Sequence, residues 1–166
     1  MVVLGVDPGT ATTGYGLVKG EGERLSVVDY GCIYTEPNLP TPERLEKIYL
    51  DVVELIRRHR PWDLAVEEVF FNRNAKTAIA VGQARGVVML AAAACGVSVA
   101  EYTPLEVKQA ITGYGKATKP QMQRMVRLIL GLDEDPSPDD AADALAIAIC
   151  HIHFMKVDAR LKGERR

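Results

Sequence analysis

Apolar and polar positions in the first third of the chain follow the pattern of short β-strands. Residues 2–6 are a continuous apolar run that ends at Asp7, which is typical of a buried strand. Residues 15–19 and 25–34 alternate loosely between apolar and polar, and the polar segment 20–23 separates them. This pattern predicts an antiparallel meander of three strands.

Beyond residue 40, apolar residues recur at helical spacing, and short apolar runs separate the helical segments. Proline near the start of a segment and glycine or proline at its end mark several of the boundaries. A meander followed by strands that alternate with helices predicts an α/β fold, a mixed five-stranded sheet with helices on both faces. The later predicted strands are 64–66 and 97–102, and the predicted helices are 41–60, 74–95, 104–111, 118–130 and 137–154.

The length of 166 residues suits one domain. We expect this domain to span residues 1–156 and to be followed by a basic, flexible tail, 157–166. Three cysteines lie far apart, which favours a reducing compartment over a disulfide scaffold. The chain starts on a strand pattern and has no apolar run near the length of a membrane span, so we expect a soluble cytoplasmic protein without a membrane partner. The net charge of −2 does not by itself indicate a nucleic-acid partner.

Four carboxylates stand where predicted strands end or the last helix begins. Asp7 ends the first strand, Glu67 ends the fourth, and Asp140 and Asp143 lie three residues apart and share a face of the last helix. If the first and fourth strands are parallel neighbours, these acids meet at the sheet edge where α/β proteins form their sites. Clustered carboxylates repel one another, and a divalent cation removes that conflict. Oxygen ligands without His or Cys suit Mg²⁺ or Mn²⁺, so the pattern predicts a two-metal site for phosphoryl transfer.

Three of these acids also have a purely structural explanation. Asp7 can be a turn former before Pro-Gly, and Glu67 can be part of a solvated strand end. Asp140 follows Ser137 by three residues, as in a helix capping box. Asp143 lies in an alanine-rich helix interior, where Asp is unfavourable and no cap or partner is visible.

Several segments, spread in order over nearly the whole chain, resemble the RuvC family of Holliday junction resolvases. The block in the last helix is the most specific, whereas an aspartate-Pro-Gly-Thr element alone also begins sugar kinases and Hsp70-type ATPases. The matching segments are Gly5–Thr10 with Thr13–Gly16, Ala65–Phe70, Gly82–Gly86, Val107–Gln109, and Ala141–Ala148 with His151.

The resemblance implies a ribonuclease H-like fold and an endonuclease that resolves four-way DNA junctions by paired symmetric nicks, in recombination and repair. Products would carry 5′ phosphates and 3′ hydroxyls. Each site would hold two Mg²⁺ ions, with Mn²⁺ as a substitute, bound by the four acids Asp7, Glu67, Asp140 and Asp143. The neighbouring acids Glu68 and Asp139 remain alternatives within their doublets. The implied partners are a second copy of the chain and a branch-migration helicase complex of the RuvA and RuvB type.

Basic and aromatic residues near the acids are candidates for DNA contacts. By resemblance, Lys108 and Lys119 act on the DNA and Phe70 lies near the junction bases, where an aromatic ring can stack. Proximity to the acids adds three further phosphate-binding candidates, for which an ordinary solvated surface is the alternative. These three are Arg73, Lys76 and Lys116.

Two further features have open explanations. The small residues Gly82, Gly86 and 91–94 allow the second helix to pack closely, either on the sheet or on its copy in a dimer. His151 and His153 are expected near the end of the last helix, where they complement its dipole.

Two other functions compete with a resolvase. An ATP-using phosphotransferase of the actin-like fold needs two copies of such a domain, and 166 residues supply one. A non-catalytic junction-binding protein is the other, and loss of one acid would be its usual sign.

Overall fold

A computed structural model describes residues 1–68 and 75–163 and confirms a mixed five-stranded sheet with helices on both faces. The sheet order is β3-β2-β1-β4-β5. The first three strands form the antiparallel meander, and β1, β4 and β5 are parallel. The elements are β1 (Val2–Asp7), β2 (Thr12–Glu21), β3 (Arg24–Tyr34), α1 (Thr41–His59), β4 (Asp63–Glu67), α2 (Ala75–Ala94), β5 (Ser98–Tyr102), α3 (Pro104–Thr112), α4 (Lys119–Leu130) and α5 (Asp139–Gly163).

Alternation along the central strands divides the core into two layers. Leu4 and Val66 point to the face covered by α1 and α2, whereas Val3 and Ala65 point to the face covered by α3, α4 and α5. Removal of these apolar surfaces from water on both sides of the sheet is the main force that holds the layers together. The same alternation along the strands determines which of their residues face α5.

Helix α5 lies unusually close to the sheet because glycines stand beneath it. A Cβ atom on Gly5 would come within 2.1 Å of the Ala144 carbonyl oxygen, and one on Gly14 within 2.0 Å of the Asp140 carbonyl oxygen. Any larger residue at either position would push the helix outward. The glycines therefore bring the start of α5 into backbone contact with β2.

The last helix is longer than its sequence pattern predicts. It begins at Asp139 and continues to Gly163, beyond the expected end near Phe154. His151 and His153 are consequently in the middle of the helix, so the helix-dipole explanation is wrong for both. His151 is buried and hydrogen-bonded, and His153 Nδ1 lies 3.2 Å from the Ala110 carbonyl oxygen. The division of the chain into a domain and a flexible tail at residue 156 stays a prediction.

Helix α2 shows two different faces. Ala84, Val88, Ala91 and Ala92 are buried in the core layer that α2 shares with α1 and this face of the sheet. Gly82 and Gly86 face away from it, and a Cβ on either would have no atom within 4 Å. Of the predicted small residues, Ala91 and Ala92 are thus buried, whereas Ala93 and Ala94 are exposed like Gly82 and Gly86.

We expected no apolar run near the length of a membrane span, and this expectation is wrong for α2. In the part of the chain that the structure describes, Lys76–Ala94 is the one segment long and apolar enough to cross a membrane by length and composition. This is weak evidence, because a core helix of a soluble protein passes the same test. Arg85 lies within the segment and is ion-paired with Glu101, and one face of the helix packs on the sheet.

Candidate active site

Strand parity and register place two of the predicted acids side by side. Val6 of β1 pairs with Val66 of β4, so Asp7 and Glu67 are the next residues along two parallel neighbours. Both are one residue beyond side chains that point to α1 and α2, and both therefore point towards α5. The expected meeting of these acids at one sheet edge is confirmed.

The first turns of α5 bring the other two acids to this edge. Asp143 lines a cavity of about 320 Å³ together with Asp7 and Glu67. Asp140 lies close enough for its charge to raise the pKa of both Asp7 and Asp143. The remaining cavity lining comes from α3, α4, α5 and the segment before α4, and comprises Pro104, Val107, Lys108, Ala117, Lys119, Met122, Ala146 and Ile147.

Burial and mutual repulsion disfavour ionisation of these carboxyl groups. Burial, followed by the charges of Asp143, Glu67 and Asp140, raises the pKa of Asp7 to about 7. Burial and the charge of Asp143 raise the pKa of Glu67, against the opposing effect of Lys108. Burial also raises the pKa of Asp143. Acids that resist ionisation in one cavity need a counter-charge to act together at neutral pH.

Lys119 supplies part of that counter-charge. Its Nζ lies 3.2 Å from Oδ2 of Asp143 and 3.2 Å from Oδ2 of Asp139. Burial lowers the pKa of Lys119, but the hydrogen bonds and charges of the two aspartates outweigh it and raise the pKa. Lys119 is the first residue of α4, where Gln121 accepts a hydrogen bond from the Thr118 backbone N–H at 2.8 Å. The predicted capping box thus sets the start of the helix that presents this lysine.

Within each acidic doublet, Glu67–Glu68 and Asp139–Asp140, the two side chains have different surroundings. Glu67 lines the cavity, whereas Glu68 is not among the cavity residues. Asp139 is exposed and accepts a hydrogen bond from Gln123 Nε2 at 2.8 Å in addition to its contact with Lys119. Its position suits an anchor for Lys119 better than a metal ligand.

Asp140 does not act as the predicted capping residue in the described part of the chain. Ala141 and Ala142 close the first turn of α5 by donating to the Pro138 carbonyl oxygen, and no hydrogen bond joins Asp140 to Ser137. The structural alternative for this acid is therefore not supported. Asp140 is half-buried and does not itself line the cavity, but its charge acts on Asp7 and Asp143.

The backbone around Glu67 is held from both sides. Arg85 of α2 donates from Nε to the Glu67 carbonyl oxygen at 3.2 Å and also pairs with Glu101. On the other side, the Glu68 N–H donates to the Tyr102 carbonyl oxygen at 2.8 Å. The sequence pattern contains Arg85 without indicating a role, because its partner is a carbonyl group 18 residues away. The contact makes Arg85 a positioning residue for Glu67.

The donor set fits hard divalent cations in its chemistry. The set contains only carboxylate oxygens. The cavity raises the pKa values of Asp7, Glu67 and Asp143, and a bound cation would lower them again. In residues 1–68 and 75–163, no three acidic, His or Cys side chains already stand together as a ligand set. Cation binding therefore requires side-chain rearrangement, including a change in the contact between Lys119 and Asp143.

The predicted DNA-contacting residues fall into three groups. Lys108 and Lys119 line the acid cavity. Lys116 is exposed on the segment before α4, and Lys76 is exposed in the first turn of α2, which begins at the same sheet edge as the acids. Phe70 and Arg73 lie outside the described residues.

The raised pKa of Asp7 predicts an unusual pH dependence of stability. An acid whose pKa rises from 3.8 to about 7 on folding stabilises the fold when protonated, and that contribution disappears as pH rises from 4 to 7. The three-unit shift corresponds to on the order of 4 kcal/mol. In EDTA at pH 8, Asp7→Asn should therefore unfold at a higher urea concentration than the parent protein, whereas at pH 4 the two should nearly coincide.

Asp133→Asn is a matched control, since Asp133 is exposed and does not line the acid cavity. It should shift neither midpoint. Adding Mn²⁺ at pH 8 should stabilise the parent protein and not Asp7→Asn. An equal gain for Asp7→Asn at both pH values would contradict the assigned cause.

Known proteins match the chain over almost its full length. The family model described as Crossover junction endodeoxyribonuclease RuvC matches residues 3–151. A relative of that name from Pelotomaculum thermopropionicum is 57% identical over 98% of this chain and 99% of its own length.

Two solved structures share the fold. Thermus thermophilus RuvC superposes with a TM-score of 0.88 at 43% identity, covering 95% of this chain and 97% of that one. The same protein in complex with a Holliday junction substrate gives a TM-score of 0.87 at 41% identity, covering 95% and 96%. The predicted ribonuclease H-like fold is thereby confirmed.

Proposed function

Because the chain belongs to the RuvC family of crossover junction endodeoxyribonucleases, we propose that its acid-lined cavity resolves four-way DNA junctions by metal-dependent hydrolysis. The observation that carries the proposal is the convergence of Asp7, Glu67 and Asp143 with Lys108 and Lys119 in one cavity. Acids and lysines in one open site suit a phosphodiester, which needs both charge neutralisation and positioning.

Asp7, Glu67, Asp140 and Asp143 would hold two Mg²⁺ ions, with Mn²⁺ as a substitute. When bound, the ions would supply the counter-charge, activate water and stabilise the leaving oxygen. Water attacks phosphorus, the bond to the 3′ oxygen breaks, and that oxygen takes up a proton. The products then carry a 5′ phosphate and a 3′ hydroxyl.

The lysines would orient the scissile phosphate. Lys119 stands at the cavity rim, where Asp139 can retain it while its contact with Asp143 is exchanged for a phosphate oxygen. Lys108 lies beside Glu67, and its charge favours the ionised form of that acid. Ammonium groups placed here counter the negative charge that develops in the transition state.

The DNA arms would lie along the same edge of the sheet. Lys76 is exposed in the first turn of α2, and Lys116 is exposed beside the cavity residue Ala117, so both suit phosphate contacts. Phe70 and Arg73 keep their predicted roles, stacking on a junction base and binding phosphate. In recombination and repair, a branch-migration helicase complex of the RuvA and RuvB type would deliver the junction in the cytoplasm.

A homodimer would place two such sites on one junction. The face of α2 that points away from the sheet is apolar and smooth, with Gly82 and Gly86 open and Ile79 and Leu90 exposed. A two-fold contact between two copies of this face would bury it. It would also account for the high apolar content of a helix that is only partly buried in one chain.

A cleavage assay tests the function directly. A synthetic four-way junction should be cut at two symmetric positions in Mg²⁺ or Mn²⁺ and remain intact in EDTA. A linear duplex of the same arm sequences should resist cleavage. Binding of the junction without cleavage in either metal would contradict the catalytic assignment and favour a non-catalytic junction-binding protein.

A further inference from the structure

Three polar side chains form a buried hydrogen-bonded chain beneath α5. The Tyr102 hydroxyl lies 2.7 Å from Nδ1 of His151, and Nε2 of His151 lies 3.0 Å from Oδ2 of Asp63. His151 is only 6% exposed. Burial raises the pKa of Tyr102 to about 12, so its hydroxyl keeps its proton. Both ring nitrogens of His151 have a hydrogen-bond partner, Tyr102 at Nδ1 and Asp63 at Nε2.

Each member of this chain belongs to an element that carries or holds a catalytic acid. Asp63 begins β4, and Glu67 ends the same strand on the same face. His151 follows Asp143 by eight residues on α5. Tyr102 pairs with Glu67 in the parallel register, and its carbonyl oxygen holds the next residue, Glu68. The hydrogen bonds therefore connect the supports of Glu67 and Asp143.

Close backbone approach and apolar packing join α5 to β1 and β2. Gly5 lies beneath Ala144 and Ala148, Gly14 lies beneath Asp140, and Leu145 packs above Gly16. The hydrogen bonds of His151 instead reach β4 and β5, on another side of the helix. Hydrogen bonds are directional, so a satisfied buried network can specify the position of α5 relative to these two strands.

We propose that Asp63, His151 and Tyr102 form a positioning network that sets α5 against β4 and β5 and thereby fixes the separation of Asp143 from Glu67. None of the three lines the acid cavity, so they act through the elements that bear the acids. The contact of the Tyr102 ring with Phe154, at 5.2 Å between ring centroids, holds the tyrosine from the helix side. This inference rests on the proposed metal-binding role of the acids.

The test compares Mn²⁺ affinity with stability, because a network that only stabilises the fold would alter the second alone. His151→Leu removes both hydrogen bonds, and Tyr102→Phe removes one while keeping its ring contacts. His151→Gln keeps an acceptor for Tyr102 and a donor for Asp63. Val52→Ala, in the opposite core layer on α1, is a destabilising control without a link to the acids. Mn²⁺ binding to the DNA-free protein is measured by calorimetry, and unfolding by urea.

We expect Mn²⁺ affinity to fall on the order of tenfold in His151→Leu and Tyr102→Phe. It should recover in His151→Gln and stay unchanged in Val52→Ala. The double variant Tyr102→Phe with His151→Leu should bind Mn²⁺ no more weakly than the weaker single variant, because the network acts as one unit.

Unchanged Mn²⁺ affinity in folded Tyr102→Phe would overturn the positioning role, even if His151→Leu did not fold. So would an equal loss of affinity in Val52→Ala. In both cases the parent protein still binds Mn²⁺ and cleaves junctions, so the proposed function stands. A parent protein that neither binds Mn²⁺ nor cleaves would instead overturn both.

Discussion

Replacement of Glu67 by Gln should reduce junction cleavage by at least about a thousandfold, whereas Glu68→Gln should leave it within about threefold. A metal-activated water and a neutralised leaving group contribute several kcal/mol to catalysis, and each 1.36 kcal/mol is a factor of ten in rate. Glu67 lines the cavity and Glu68 does not. Cleavage rates under single-turnover conditions with saturating enzyme measure the difference without interference from product release.

The loss should be confined to chemistry. Glu67→Gln removes one negative charge from the cavity, so junction affinity measured in EDTA should stay the same or increase. Asp7→Asn and Asp143→Asn should show the same separation of binding from cleavage, because both acids line the cavity with Glu67. Loss of binding together with cleavage would indicate misfolding rather than a catalytic role.

Two outcomes would contradict the assignment. Full activity of Asp143→Asn would remove the basis for a metal site, since Asp143 has the least structural justification in its helix. Loss of activity in Glu68→Gln with retention in Glu67→Gln would mean that the motif is displaced by one residue.

A charge on the exposed face of α2 should convert the protein to monomers and remove the second nick. Leu90 is 60% exposed on this face, and Leu90→Glu would place like charges across a two-fold interface. Like charges there cost several kcal/mol, so the dimer dissociation constant should rise on the order of a thousandfold. Sedimentation at micromolar concentration should change from a dimer to a monomer of 18.2 kDa.

Leu128→Glu is the matched control. Leu128 is 59% exposed on α4, which presents a different surface of the molecule, so the same change there should leave the dimer intact. A plasmid that extrudes a cruciform shows whether the enzyme makes one nick or two. Paired nicks within one bound lifetime give linear DNA, and a single nick gives an open circle. Leu90→Glu should yield open circles, whereas Leu128→Glu should yield linear product.

Gly86→Glu should act like Leu90→Glu, because Gly86 is open on the same face. Dimers that survive both changes would place the interface elsewhere without affecting the enzyme class. A parent protein that sediments as a monomer would reject the homodimer itself.

The sequence by itself determined the sheet and the edge at which the acids meet. Strand and helix periods are local properties, and apolar residues recur at them along most of the chain. The period of two also places Asp7 and Glu67 on one face as soon as β1 and β4 are parallel neighbours, and the alanine-rich start of α5 isolates Asp143. These features depend on positions close together in the chain, so they can be predicted without coordinates.

Only the tertiary structure decided which side chains meet across long separations. Asp139 anchors Lys119, and Arg85 reaches the Glu67 carbonyl oxygen; neither contact has a signature in sequence spacing. From the sequence, the glycines of α2 could pack on the sheet or on another chain. In the structure they face away from the sheet. The sequence suggested that His151 interacts with the helix dipole at the end of α5. In the structure α5 continues past this residue, which is buried between Tyr102 and Asp63. Hydrogen bonds and burial of this kind arise from the three-dimensional arrangement of whole elements, which local periodicity does not specify.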